Sequence, residues 1–187
     1  MSFKQYLPYY KRNLRVALPV MLTQLGASLV GLFDSIMVGH YATVDLAAVS
    51  FANALFFMAM VFAMGALMAI TPLVGVRVGE MNARPEEQTE IRYKIAVLFQ
   101  NGMLFTLLQS VLMLLLLGGC LPFLEYFGQD PAVIEVARPY YVLIVISLVP
   151  FLIFTFFKQF LERLGNTLVA MIITLAMNAL NIFLNWI

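Results

Sequence analysis

The chain has 187 residues, of which 63% are hydrophobic and 11% charged, with a formal net charge of +1. An ordinary soluble domain is about one quarter charged, so this composition predicts an integral membrane protein with room for about five spanning helices and no separate soluble domain. It also excludes several partners and folds: few, dispersed basic residues do not make a nucleic-acid surface, and a single Cys120 and a single His40 supply neither an internal disulfide nor a structural zinc site.

Residues 1–13 form an amphipathic arm. Phe3, Tyr6, Tyr9 and Tyr10 mix there with Lys4, Lys11 and Arg12, and Arg15 follows, a blend suited to the lipid headgroup layer on the cytoplasmic side. The apolar run that follows is too long for a secretory signal, so it is read as a retained first helix. From there, residues 14–187 are expected to fold as a partial transmembrane lobe in contact with membrane lipid, with helices at about 14–38, 46–76, 95–117, 132–157 and 166–187.

The first helix carries Pro19 near its start and one acid, Asp34, well inside an apolar run. A carboxylate at that depth costs about 2.5 to 3.5 kcal/mol on insertion scales, which makes it a hypothesis about function. At about 100° per residue, Gln24, Ala27, Ser28, Gly31, Asp34 and Ser35 share one side, and Leu22, Leu25, Leu29, Phe33 and Ile36 the other. The turn that follows holds His40, read as solvated. In the second helix Asn53 and Thr71 are the few polar points, and Pro72 predicts a kink or an exit from the bilayer. Residues 77–94 are charged throughout and read as a solvated loop. After the third helix, Gly118, Gly119, Pro122, Gly128 and Pro131 mark a loop without basic residues, and the fourth helix contains Pro139 and Pro150. Arg138 near its outer end is expected to snorkel.

Basic residues number four in the N-terminal arm with Arg15 that follows it, four in 77–94 and two in 158–163, against none in the turns at 39–45 and 118–131. That alternation puts the N-terminus in the cytoplasm. The fifth helix then supplies the second polar feature: Thr167, Thr174, Asn178, Asn181 and Asn185 recur at spacings of 7, 4, 3 and 4, which keeps them on one stripe. Amides in lipid need partners. Two readings remain open. The stripe is a packing seam, or it forms a polar pocket with Asp34, lined by Gln24, Ser28, Ser35, Asn53, Thr174 and Asn178. In the pocket, Asp34 either takes up a proton as burial raises its affinity, or joins the oxygens of Asn181 and Asn185 in a sodium site.

The segments ALPVMLTQLGASLVGLFDSIMVGHYATVDLAAVS, GALMAITPLVG, FLERLGNT and NALNIFLNWI, in this order, resemble the first half of the multidrug and toxic compound extrusion (MATE) family, closest to its NorM-like branch. The resemblance implies an all-α polytopic membrane protein and an antiporter built from two six-helix lobes, exporting drugs or organic cations against sodium or protons, in a bacterial inner membrane. It implies cation-coupling roles for Asp34, Asn181 and Asn185, with no cofactor beyond the coupling ion. Because the helices stop after the fifth, the chain is expected to be a fragment, inactive without the missing C-terminal half of the transporter. An enzyme is not expected: the single histidine lies in a turn and Asp34 is the only intramembrane acid, which leaves no intramembrane Ser–His or paired-Asp site. The alternatives are a lipid-linked precursor flippase, whose basic cavity would rest on Arg138 alone, or a structural membrane subunit.

Overall fold

In the computed structural model the backbone is described for residues 3–39 and 43–186, and within these the side chains of residues 10, 13–15, 17–33, 36 and 43–183. The described backbone is all helical: α1 (Phe3–Gly39), α2 (Thr43–Met68), α3 (Ile70–Ala83), α4 (Gln88–Cys120), α5 (Pro131–Arg163) and α6 (Thr167–Trp186), with short 3-10 turns at Pro85–Glu87 and Leu121–Phe127. Two compact units result. Met1–Met37 with Leu161–Ile187 pairs α1 with α6, and Val38–Phe160 gathers α2 to α5. The turn expected to carry His40 lies outside the described residues.

In the first unit, α1 is continuous through the segment read as a separate arm. Charge and aromatic content decide what a helix touches; they do not stop it. Pro19 is buried within α1, and the hydroxyl of Thr23 donates to the Pro19 carbonyl at 2.8 Å. That back-bond gives the carbonyl a second donor at the proline turn, the kind of contact that bends a helix. Between α5 and α6 the chain turns at Gly165, whose φ of +88° lies in the left-handed region. Its N–H donates to Glu162 and that of Asn166 to Leu161, at 3.2 and 3.0 Å, closing the end of α5 in a Schellman arrangement.

In the second unit, the helix expected over 46–76 is two helices with a break at Ala69, where the N–H reaches back three residues to Ala66 at 3.2 Å. Pro72 explains the break, since it has no N–H for the carbonyl of Met68. Past Pro72, α3 runs on to Ala83, and α4 begins at Gln88, so most of the expected 77–94 loop is helical. Ion pairs one turn apart support these exposed ends: Arg77 with Glu80 at 2.7 Å and Lys94 with Glu90 at 2.6 Å. At the other end, Asp130 starts α5 by accepting from the amide of Ala132 at 2.8 Å, with Pro131 in the first turn where its missing N–H costs nothing.

The core of this unit centres on α5. Tyr141, Leu148, Leu152 and Phe156 are buried with Leu67, Val74, Ile91, Leu117 and Leu124, and the Tyr141 hydroxyl donates to the Leu117 carbonyl at 2.9 Å. Polar groups tie helices together: the buried Gln109 Nε2 donates to the Ala63 carbonyl at 2.9 Å, and the half-buried Thr71 donates to Gln159 Oε1 at 3.0 Å. Gly102 lets α4 and α5 approach closely. A Cβ there would lie 2.6 Å from Phe156 Cε2, and Phe156 is hemmed in by Phe99 and Phe160 at centroid distances of 5.5 and 5.9 Å. Gly102→Ala is therefore expected to destabilise the chain by about 1–3 kcal/mol, the usual range for overpacking. Thermal unfolding in detergent measures it, and an unchanged midpoint would contradict this packing.

Among the described residues four helical stretches are long and apolar enough to cross a membrane, 13–33, 43–83, 85–127 and 131–163, and the apolar stretch 167–183 of α6 is shorter. Large side chains such as Phe62, Leu108 and Leu143 are 74%, 63% and 67% exposed. A water-soluble protein does not display such a surface, whereas lipid accepts it. The chain is a multi-pass membrane protein with an all-α fold.

Candidate functional site

The first unit holds most of the polar positions singled out from sequence. On α1 the buried line runs through Pro19 and Thr23 to the half-buried Gly26 and Val30; on α6 it runs through Thr167, Ala170 and Thr174 to the half-buried Asn178. Both lines keep to spacings of three and four, so each is one helix face. The two helices meet at Gly26. A Cβ at that position would sit 2.9 Å from Asn178 Nδ2 and 3.3 Å from Leu175 Cδ2, so the glycine lets the Asn178 amide stay where it is.

Asn178 Nδ2 is buried and has no hydrogen-bond partner among the described residues. An unmet donor in such a place costs about 1–3 kcal/mol, which a neighbouring oxygen or a water entering the contact would recover. Thr174 is different: it is buried, but its hydroxyl donates to Ala170 in its own helix at 2.9 Å and needs no outside partner. Ser28 does the same with the Gln24 carbonyl at 3.0 Å, and both Gln24 and Ser28 are exposed, away from the line that meets α6. Asn181 is exposed and has an interaction partner of its own. Asp34, Ser35 and Asn185 lie in helical backbone, but their side chains fall outside the described ones.

Asn53 belongs to the second unit, where its Oδ1 accepts from the Tyr140 hydroxyl at 3.3 Å, a link between α2 and α5. Arg138 pairs with Glu125 at 2.8 Å beside the start of α5. Among the described residues no three His, Cys, Asp or Glu side chains cluster in a metal-binding group.

Sequence reasoning missed Gly26 and Gln109. Gly26 had a signal in the run Gln24-Leu25-Gly26-Ala27-Ser28, where a small residue inside a spanning helix marks a close helix contact. Gln109 and Thr106 are polar residues in the middle of α4, and their burial could have been anticipated from the cost of leaving them in lipid.

The chain is 28% identical over 178 residues to the probable multidrug resistance protein NorM of Halalkalibacterium halodurans and 29% identical over 182 residues to the multidrug resistance protein NorM of Photobacterium profundum, covering 95% of this chain in both cases. It spans 37% and 38% of the length of these relatives. Among solved structures, a MOP superfamily transporter from Pyrococcus furiosus shares the fold with a TM-score of 0.75 at 21% identity, over 92% of this chain and 36% of that one. The family described as MatE matches residues 19–187, from Pro19 in α1 through α6, and the chain belongs to that family.

Proposed function

We propose that this chain forms the N-terminal part of an antiporter that exports drugs or organic cations in exchange for sodium or protons, and that it works together with a C-terminal half such as its relatives carry. It acts as a transporter and catalyses no covalent reaction. The observation that carries this reading is the contact of α1 with α6 at Gly26 and Asn178. Asp34 lies eight residues beyond Gly26 and Asn185 seven beyond Asn178, rises of about 12 and about 10.5 Å along their helices. With both helices running outward from the basic side, as the charge alternation predicts, acid and amide reach the same depth. By helical spacing, Asp34 follows four residues after the half-buried Val30 on α1, and Asn185 seven after the half-buried Asn178 on α6.

A carboxylate beside two amide oxygens is a hard-cation site, and the same carboxylate out of water binds a proton more tightly. Coupling then needs only that the site favour its ion differently in two conformations. The NorM names of the relatives support a multidrug substrate, and the expected location is a bacterial inner membrane with the N-terminus in the cytoplasm. The flippase alternative leaned on Arg138, whose charge is met by Glu125.

The test uses a NorM relative in which residues 1–187 replace the matching N-terminal segment. Expressed in drug-sensitive cells, it is expected to drive ethidium efflux that collapses when the sodium and proton gradients are both dissipated. Efflux that persists without either gradient would overturn ion coupling.

A further inference from the structure

A crevice of about 520 Å³ opens in the second unit where α5 begins, lined by Glu125, Gln129, Pro131, Ile134, Glu135 and Arg138 among others. That volume lies in the range of small-molecule sites. Its chemistry is asymmetric. Arg138 is neutralised by Glu125 at 2.8 Å, and Asp130 already caps the first turn of α5, which removes the helix start as an anion site. Glu135 has no ion-pair or hydrogen-bond partner among the described residues, so it is the uncompensated charge of the crevice. Ile134 is buried at its side, and Pro131 adds a second apolar wall.

The position matters as much as the lining. The apolar stretch 85–127 ends and the stretch 131–163 begins at this turn, so the crevice sits where the helices leave the hydrocarbon layer. Tyr126 and Phe123 in the same turn are 84% and 58% exposed, as aromatic rings at a membrane surface are. One free carboxylate flanked by apolar walls, at headgroup depth, suits a cation whose charge is wrapped in methylene or methyl groups. An anion meets a net negative charge.

We propose that this crevice binds an alkylammonium group, through Glu135, separately from the Asp34 site. Two sources carry that group at a membrane surface: the headgroup of phosphatidylethanolamine and a soluble alkylammonium ion. The experiment places the 187-residue chain, as Gln129→Cys in a Cys120→Ser background, in nanodiscs of phosphatidylglycerol, which has no ammonium. The rate of labelling by a water-soluble maleimide is then followed with and without benzyltrimethylammonium, and again in phosphatidylethanolamine nanodiscs.

If the source is soluble, benzyltrimethylammonium slows labelling about threefold at twice its dissociation constant. If it is lipid, phosphatidylethanolamine alone slows labelling relative to phosphatidylglycerol. In either case Glu135→Gln removes the protection and Glu135→Asp retains part of it. Labelling that is equally fast in all conditions, or protection that survives Glu135→Gln, would overturn the proposal.

Discussion

Replacing Asp34 by Asn is expected to cut gradient-driven ethidium efflux by at least about tenfold in the NorM chimera, while the protein still inserts in the membrane. Tenfold corresponds to about 1.4 kcal/mol, a modest demand on a group proposed to hold the coupling ion. Asn keeps the size of Asp and one of its acceptor oxygens, so helix packing has little reason to change. It loses the two properties that coupling needs: it cannot take up a proton, and it brings no negative charge to a sodium ion. Removing the charge should even ease insertion, since the carboxylate itself costs about 2.5 to 3.5 kcal/mol at depth. Efflux at the parental rate would mean that Asp34 does not couple transport to an ion.

Gly26→Leu is expected to have an effect of similar size for a different reason. Gly26→Ala brings a methyl group to 2.9 Å from Asn178 Nδ2, but that atom ends a flexible side chain and can swing aside, so the alanine variant should lose little. Leucine leaves no such escape, because Leu175 closes the other side at 3.3 Å from the Cβ position. The helices must then separate, at the cost of about 1–3 kcal/mol typical of overpacking, and the proposed ion site above them widens. Efflux should fall about tenfold, and Asn178→Ala in the same chain should restore part of it by making room. A Gly26→Leu chimera with normal efflux would show that the α1 to α6 contact does not set the geometry of transport.

Fold class was legible because a chain with so few charges and such long apolar runs has few ways to satisfy its backbone except as membrane helices. Helix ends were less legible. Arg77, Glu80, Glu90 and Lys94 mark where α3 and α4 leave the apolar layer, yet their ion pairs extend both helices into the polar region. A charge count finds the membrane boundary and not the last hydrogen bond. The break at Ala69 was foreshadowed by Pro72, though a kink and an exit from the bilayer looked alike from sequence.

The polar stripe of α6 was readable from its spacing alone; within it Thr167 and Thr174 are buried, Asn178 is half-buried and Asn181 is exposed. What spacing could not supply was the partner. Gln24 and Ser28 share a side with Asp34 in a helical projection, but the contact with α6 runs through Gly26, which has no side chain to announce it. Asn53 likewise showed only that an amide sits in the second helix, because its partner Tyr140 comes 87 residues later in the chain. Nor could spacing show that the hydroxyls of Thr174 and Ser28 donate within their own helices.

In the proposed site Asp34 and the amides of α6 converge at one depth between two parallel helices. Paired cysteines test it directly in the Cys120→Ser background, because a disulfide forms only when the Cα atoms lie within about 7 Å. Gly26→Cys with Asn178→Cys should cross-link under mild oxidation and serves as the control. Asp34→Cys is expected to cross-link with Asn181→Cys or Asn185→Cys as well. A chain that links at the control pair but at neither of the others would contradict it.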